Sequence, residues 1–405
     1  MNYYNHIIIG AGITGLSIAR EIRKNEPDSK ILVMEKEPDA AMHSSGRNSG
    51  ILHSGFCHSS GTLKAQFTDD GNKALKTYCR SKNLPVNECG KLVVCSADHE
   101  LDQLQELYQR GMRNGSVVRL LTPEEAREHD PNVKTNRQAL YSPDTASIDP
   151  IAICHALKND LSCMNVHFAF NCKYLHHQKQ VVSTTSCDFY ADKIINCAGL
   201  YAAKIANDFG FGMKYTVIPI KGIYIKYTRN DSDIQTNIAP VSILHNPFPG
   251  VHFIKTVEGH IKIGLRAMAF GKENYNGLYN FKTGEIPEIL YWQALLFLSN
   301  SFNFRDIAFE RIRRYRKKYF IELAQNLVHQ IDPKGFTEYA APGIDAQLLN
   351  KATKELVQDF VIESDEKSVH ILNAVSPAFT CAFPFAEYVY RKHINHRQPM
   401  PQDRL

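Results

Sequence analysis

A glycine-spaced turn near the amino terminus does most to limit what this chain can become. The β-branched run His6-Ile7-Ile8-Ile9 leads directly into Gly10-Ala11-Gly12-Ile13-Thr14-Gly15, and an apolar-periodic helix pattern follows through Leu16, Ile18 and Ala19. A second short run, Lys30-Ile31-Leu32-Val33-Met34, ends in Glu35, twenty residues beyond Gly15. Strand, glycine turn, helix, strand and acid stand in the order that a dinucleotide site requires. Gly10 permits the tight turn, Gly12 lets backbone N–H groups approach a pyrophosphate, and Gly15 lets the helix pack closely. The helix N-terminus offers unpaired N–H groups and a positive dipole end to the phosphates. Glu35 is placed to accept hydrogen bonds from ribose hydroxyls, and Lys36 beside it joins the candidate cofactor contacts. An acid rather than an arginine at position 35 disfavours a 2′-phosphate, so FAD or NAD fits better than NADP.

With 405 residues, the chain has room for two domains with sizeable cores. No apolar run is long enough to span a bilayer. The chain opens almost at once on its first strand, which leaves no room for a secretory signal. Ten cysteines are scattered without a C-x-x-C pair or any metal-ligand spacing. Reduced thiols in a cytoplasmic protein with no bound metal are therefore expected. A formal charge of +5 favours anionic ligands or surfaces without calling for nucleic acid.

Further along, a polar loop rich in small residues, Ser44-Ser45-Gly46-Arg47-Asn48-Ser49-Gly50, follows the ribose-binding acid and is well placed to run past a cofactor. Helices are predicted from about Leu63 to Lys82 and from Asp98 to Arg113. Thr122-Pro123-Glu124-Glu125 reads as an N-cap, a first-turn proline and a capping-box acid, and Asp149-Pro150 opens another helix running to about Leu161. Strands are predicted at Gly90–Cys95, Val166–Phe170, Val181–Thr185 and Phe189–Asn196, the last ending in Cys197-Ala198-Gly199-Leu200. Beyond, Val217–Tyr227 is one strand, and Val251–Val257 with His260–Leu265 forms a hairpin around Glu258-Gly259. Helices are expected over Pro287–Ser299, about Asp306–His329, and from about Pro377. The pattern predicts an α/β class: a Rossmann-like cofactor domain (1–85, 140–210 and 335–395) interleaved with a mostly antiparallel β substrate domain (86–139 and 211–334).

Longer strings narrow this reading. Ser45-Gly46-Arg47-Asn48-Ser49-Gly50-Ile51-Leu52-His53-Ser54-Gly55, Ser60-Gly61-Thr62-Leu63-Lys64-Ala65-Gln66-Phe67, Cys89-Gly90-Lys91-Leu92-Val93-Val94, Pro247-Phe248-Pro249-Gly250-Val251-His252-Phe253 and Asn373-Ala374-Val375-Ser376-Pro377-Ala378 carry a resemblance that covers nearly the whole chain. The chain resembles the D-amino-acid-oxidase-like (DAO) superfamily of FAD-dependent oxidoreductases, and within it the L-2-hydroxyglutarate oxidase/dehydrogenase group. The resemblance implies FAD, oxidation of the C2 hydroxyl of L-2-hydroxyglutarate to 2-oxoglutarate, and electrons passed to oxygen or a quinone. It also implies that Ser45, Arg47, Asn48, Ser49 and Gly50 line the flavin, with Ala198 and Gly199 nearby. The turn at Ser376, Pro377 and Ala378 would begin a helix aimed at the flavin ring, where a helix N-terminus stabilises the charge of the reduced ring.

The chain departs from the family pattern in four places. Arg47 stands where the family has a histidine and cannot form a flavin link, so non-covalent FAD is expected. The family's Arg-Gly-Glu-Tyr appears as Lys221-Gly222-Ile223-Tyr224, which keeps a cation but loses its planar fork. Its Gly-Pro-Asn-Ala appears as Gly264-Leu265-Arg266-Ala267, which adds a cation. Its Gly-Val-Arg-Ala-Gln appears as Gly343-Ile344-Asp345-Ala346-Gln347, and an aspartate there would repel a substrate carboxylate. That departure keeps open another 2-hydroxy acid or an amino acid as substrate, or a flavin-binding protein that has lost turnover.

Oxidising a 2-hydroxy acid needs a carboxylate anchor, a base for the hydroxyl proton and a hydride acceptor. His53 and His252 are the candidate bases, histidine titrating near neutrality. Lys221, Arg266 and Tyr224 are the candidate substrate contacts. The basic run Arg311-Ile312-Arg313-Arg314-Tyr315-Arg316-Lys317-Lys318-Tyr319-Phe320 reads first as a solvated helix face. A peripheral contact with the inner face of a membrane is the second reading, since a quinone-linked enzyme must reach the bilayer.

Overall fold

The computed structural model describes residues 2–241, 250–269 and 286–395. The Pro247-Phe248-Pro249 part of the fourth matched string lies outside them. By internal contacts the chain forms two compact units. The first comprises Met1–Gly46, Ile151–Val217 and Ala346–Leu405, and the second Arg47–Pro150 and Ile218–Asp345. By compactness, 47–85, 140–150 and 335–345 fall in the second unit, where the sequence reading had grouped them with the cofactor domain.

The first unit is the Rossmann-like half. Strand β1 (Asn2–Ile9) runs parallel between β2 (Ile31–Met34) and the strand Asp188–Asn196, so that Ile8 faces Val33 on one side and Ile195 on the other. His167–Ala169 extends the parallel order beyond β2, and Ser368–Asn373 extends it beyond Asp188–Asn196. Helix α1 (Ile13–Asn25) buries Leu16, Ile18 and Ile22 completely, as do Ile7 and Ile8 on β1. Each such side chain removed from water contributes about 1.5–3 kcal/mol. An antiparallel hairpin, Tyr174–Gln178 with Val181–Thr184, completes the edge. Its first strand went unseen in the sequence because most of its side chains are exposed, leaving no alternation to read.

Two predicted helices are corrected. The helix expected from Pro377 begins instead at Ala382 and runs to Val389. Residues 376–381 form turns, with the Ala378 N–H donating to the Val375 carbonyl, a spacing of three rather than four. The helix expected over 306–329 is two, Phe304–Arg313 and Lys317–Gln325. The break falls inside the basic run, where the Arg314 guanidinium donates to Glu310 and to the Arg266 carbonyl. The cations therefore do not form one solvated face. The Thr122 capping box is present as read, with Pro123 opening the helix Pro123–His129.

The second unit is built on a nine-stranded sheet whose main path runs Phe336–Tyr339, Tyr215–Tyr227, Ile261–Met268, His252–Lys255, Asn237–Pro240, Lys91–Val94, Ala139–Ser142 and Arg119–Leu121. All neighbours on this path are antiparallel except Asn237–Pro240 with Lys91–Val94. Strand alternation gives the sheet two faces. One face carries Leu92, Val94, Ile223, Ile225, Phe253, Ile263 and Leu265, packed with Phe320, Ile321 and Ala324 of the helix Lys317–Gln325. At one end of the opposite face, Val93 and Leu140 pack with Phe56, Leu104, Leu107 and Val118. The rest of that second face mixes apolar side chains, Ile220 and Ile254 among them, with polar and charged ones.

Candidate active site

In the first unit, the glycine turn holds the ends of three elements together. The Gly10 N–H donates to the Met34 carbonyl at 2.8 Å, and the Cys197 N–H donates to the Ile9 carbonyl at 2.9 Å. A Cβ at Gly15 would lie 2.0 Å from the Gly10 carbonyl oxygen and 3.3 Å from Ile8, an approach that no other residue type permits. Gly12 is the N-cap of α1 and supplies no side-chain cap. The Glu35 carboxylate is fixed beside it, one oxygen accepting from the Ala11 N–H at 2.9 Å and the other from the Glu37 N–H at 3.1 Å. Ser45 is held at the same helix end, its Oγ accepting from the Ile13 N–H at 3.0 Å. A helix N-terminus whose glycine N-cap brings no side chain, beside an anchored acid, fits a dinucleotide, phosphates at the former and ribose at the latter.

Other expected cofactor residues sit as follows. Lys36 is ion-paired to Glu37 at 2.7 Å and lies over the Tyr201 ring. The Ala198 N–H donates to Asn196 Oδ1, and Gly199 takes a positive φ at the following turn. Ser376, Pro377 and Ala378 lie in the turns that precede the last α-helix. In the second unit, Asn48 and Ser49 each accept a backbone N–H two residues on, from Gly50 and Ile51. The Arg47 carbonyl is packed so closely against Gly343 that a Cβ there would lie 2.2 Å from it.

The polar half of the second unit's sheet is where the substrate candidates gather. Gly264 pairs with Tyr224 on one side and with His252 on the other, which sets both side chains on one face in one row. Gly264 has to be glycine, because a Cβ there would meet the Tyr224 ring at 2.8 Å. Two residues away in either direction along the same strand, Lys262 and Arg266 share this face. Lys91 shares it too, through its pairing with Asn237 and the register from Ile238 to Phe253. Lys262 stands over the Tyr224 ring at 5.1 Å and Lys91 over the Phe56 ring at 5.7 Å. Arg266 is ion-paired to Asp345 at 3.0 Å. The carboxylate that the sequence marked as a repulsive element is thus answered within the chain.

The imidazoles in this half are held neutral. Burial, then the fields of Lys91, Arg266 and Lys262, pull His252 down to about 4. His53 is pulled well below its ordinary range by burial, then by Lys91, His58, His252 and Arg266. His58 falls to about 3 through burial and the nearby Lys64, Arg110 and Lys91. The His252 Nδ1 lies 3.2 Å from the Gly250 carbonyl, a contact that requires Nδ1 to be the protonated nitrogen and leaves the Nε2 lone pair open.

These shifts carry a stability consequence. His58, His252 and the buried His370 all titrate lower in the folded chain, near 3, 4 and 4, than the ordinary 6.5 they recover on unfolding. Between about pH 6.5 and 4 the unfolded chain binds more protons, so stability is full above that window and is lost as the pH falls through it. The urea midpoint should be level from pH 8 to 7 and drop between pH 6 and 4.5. A midpoint that holds constant down to pH 4.5 would contradict the assignment.

Of the expected substrate contacts, the fold brings Tyr224, Arg266, His252 and His53 together. It places Lys221 elsewhere: Lys221 pairs with Ala267 and alternates with Ile223 and Ile225, on the side of the apolar core. Lys91 and Lys262 were not singled out by the sequence. Their only signal was position, each being a cation at an alternation that matches a histidine or glycine on a neighbouring strand.

A family model described as FAD dependent oxidoreductase (DAO) matches residues 5–390. The chain belongs to the DAO family of FAD-dependent oxidoreductases. It is 30% identical to an L-2-hydroxyglutarate dehydrogenase of Indibacter alkaliphilus, covering 92% of this chain and 94% of that one. It is 28% identical to the L-2-hydroxyglutarate dehydrogenase of Escherichia coli K12 over 96% and 93%, and to the human mitochondrial protein of that name over 93% and 86%. Among solved structures it superposes on the FAD-bound L-alpha-glycerophosphate oxidase of Mycoplasma pneumoniae, with a TM-score of 0.75 at 21% identity over 96% and 94% of the two chains. A glycine oxidase of Geobacillus kaustophilus gives 0.71 at 14% identity over the same shares. These two likenesses show the DAO fold. The cofactor of the family, and of this DAO oxidoreductase, is FAD. No helix among the described residues is long and apolar enough to cross a membrane.

Proposed function

We propose that this DAO oxidoreductase oxidises the C2 hydroxyl of L-2-hydroxyglutarate, giving 2-oxoglutarate. The observation that carries the reading is the polar face of the second unit. It sets two lysines that make no ion pair among the described residues, Lys91 and Lys262, around a neutral histidine whose tautomer is fixed. The names of the relatives in bacteria and eukaryotes support the same substrate.

Gly12, Glu35 and Ser45 would hold FAD, which when bound supplies the hydride acceptor. Arg47 in place of a histidine leaves the cofactor non-covalent. Lys91, which shares the face of His252 and whose field reaches both His252 and His53, binds the carboxylate beside the hydroxyl. His252 Nε2 takes the hydroxyl proton as the C2 hydrogen departs with its electron pair. A base already neutral at pH 7 needs no prior deprotonation, and an incoming dianion raises its proton affinity at the moment it is needed. Arg266 holds Asp345 and so keeps that carboxylate from repelling the substrate. Electrons leave to oxygen or to a quinone.

The test is anaerobic mixing of the purified yellow protein with L-2-hydroxyglutarate, L-lactate, L-2-hydroxybutyrate, glycine and L-proline, following flavin absorbance. Bleaching by L-2-hydroxyglutarate well ahead of the others is expected. Bleaching by an amino acid instead, or by none of the panel, would overturn the proposal.

A further inference from the structure

The strand Ile261–Met268 places its two cations symmetrically about the base. Gly264 is level with His252, and Lys262 and Arg266 stand two residues to either side on the same face, each about 7 Å along the strand. The two are chemically unequal. Arg266 is paired with Asp345 at 3.0 Å, so its charge is already answered. Lys262 has a ring beneath it, Tyr224 at 5.1 Å, and forms no ion pair among the described residues. Its neighbour across the strand pair, Lys226, is itself ion-paired to Glu338 at 3.8 Å. Lys91 acts first among the charges on both His53 and His252, whereas Lys262 ranks behind Lys91 and Arg266 at His252 and is not among the charges acting on His53. Lys91 thus exerts the larger field on both imidazoles, and Lys262, two residues along its strand from the row of the base, the smaller one.

That ordering matches the shape of a 2-hydroxy diacid, whose hydroxyl carbon adjoins one carboxylate and is separated from the other by two methylenes. We propose that Lys262 is the specificity-determining residue of this site: it receives the distal carboxylate and thereby selects a diacid over a 2-hydroxy monoacid. The inference rests on the 2-hydroxy-acid reading above and adds to it the group that distinguishes diacid from monoacid. The electrostatics agree. Burial pulls Lys262 down to about 8 against the raising influence of Glu258 and Asp149, with Lys226 lowering it further. A half-buried cation in this state gains from an incoming carboxylate, and a charge-assisted hydrogen bond of this kind is worth about a ten- to hundredfold in binding. The Tyr224 ring beneath it carries no charge, His252 in the next row is neutral and Asp345 is engaged by Arg266, which leaves Glu258 and Asp149 as the anions whose fields reach Lys262.

The experiment uses the holoenzyme and its Lys262→Gln and Lys262→Arg variants. The first readout is the ratio of kcat/KM for L-2-hydroxyglutarate to that for L-2-hydroxybutyrate. The second is the calorimetric affinity for glutarate, a diacid without the hydroxyl, at pH 7 and pH 9. Lys262→Gln should lower the kcat/KM ratio and the glutarate affinity by about 10- to 100-fold, and Lys262→Arg should restore most of both. Wild-type glutarate affinity should weaken from pH 7 to pH 9 as the ammonium loses its proton, and that weakening should vanish in Lys262→Gln. An unchanged ratio with unchanged glutarate affinity would overturn the assignment, as would an equal loss for both acids, which marks a residue that only positions Tyr224 or His252. A wild-type enzyme that oxidises neither acid would instead overturn the reading on which it rests. Should Lys262→Gln fail to fold, the wild-type pH dependence of glutarate binding with Lys262→Arg, whose charge persists at pH 9, decides the question alone.

Discussion

Replacing His252 by asparagine should leave a yellow protein whose flavin is bleached by L-2-hydroxyglutarate about 100- to 10,000-fold more slowly, the usual worth of a positioned general base. Asparagine is chosen because its amide N–H₂ stands close to where Nδ1 was and keeps a donor for the Gly250 carbonyl, which His252 now engages at 3.2 Å. The loop is thereby supported while the Nε2 lone pair is lost. The row containing His252, Gly264 and Tyr224 lies on the polar face of the sheet, away from the apolar cluster that includes Phe253 and Ile263, so the fold should survive. The pH profile adds a second signature. With His252 held near 4 in the free enzyme, kcat/KM should be level down to about pH 5 and fall only as the pH approaches 4, where the base becomes protonated. His53→Asn is the comparison, since His53 shares the field of Lys91. Full retention of the flavin reduction rate in His252→Asn would remove His252 from the chemistry, and a selective loss in His53→Asn would transfer the role there.

How much of this was legible in the sequence depended on how local the controlling interaction was. The glycine turn, the acid after β2 and the Thr122 capping box are signals spread over a few residues, and each appears in the structure as read. The helix Phe304–Arg313 and its successor were read as one because their composition is continuous, while the break lies at Arg316, whose extended backbone no local pattern announces. Lys221 was a reasonable anchor on sequence grounds, because the strand Tyr215–Tyr227 is apolar at both alternations near it and so does not declare its faces. Only the register with Ala267 shows that Lys221 points to the core side. Lys262 and Lys91 were passed over for the same reason in reverse. Each is an ordinary strand cation until pairing with Gly264's strand, or with Asn237, brings it to the face of His252. Asp345 is the plainest case. Alone it reads as a repulsion, and the partner that cancels it lies on another strand, where no local pattern records it.

Replacing Gly15 by alanine should give a protein purified largely without FAD, although the change adds a single methyl group. The added carbon would lie 2.0 Å from the Gly10 carbonyl oxygen, well inside van der Waals contact, with Ile8 at 3.3 Å on its other side. Both neighbours are immobile. The Gly10 carbonyl belongs to a turn whose N–H is bonded to Met34, and Ile8 is fully buried between two parallel strands. The methyl can be accommodated only by moving the start of α1 away from the turn, at a cost of about 1–3 kcal/mol for overpacking. That displacement acts on the part of the fold that a dinucleotide uses, the helix end at Gly12 with Ser45 and Glu35 held against it at 3.0 and 2.9 Å. The ratio of flavin to protein absorbance measures the outcome directly, and a melting temperature lowered by a few degrees should accompany it. The polar face of the second unit uses neither Gly15 nor α1, so added FAD should restore part of the activity without altering the preference among acids. A Gly15→Ala protein with full flavin content and an unchanged melting temperature would mean that the helix yields freely there. The close approach at Gly15 would then not be what holds the cofactor.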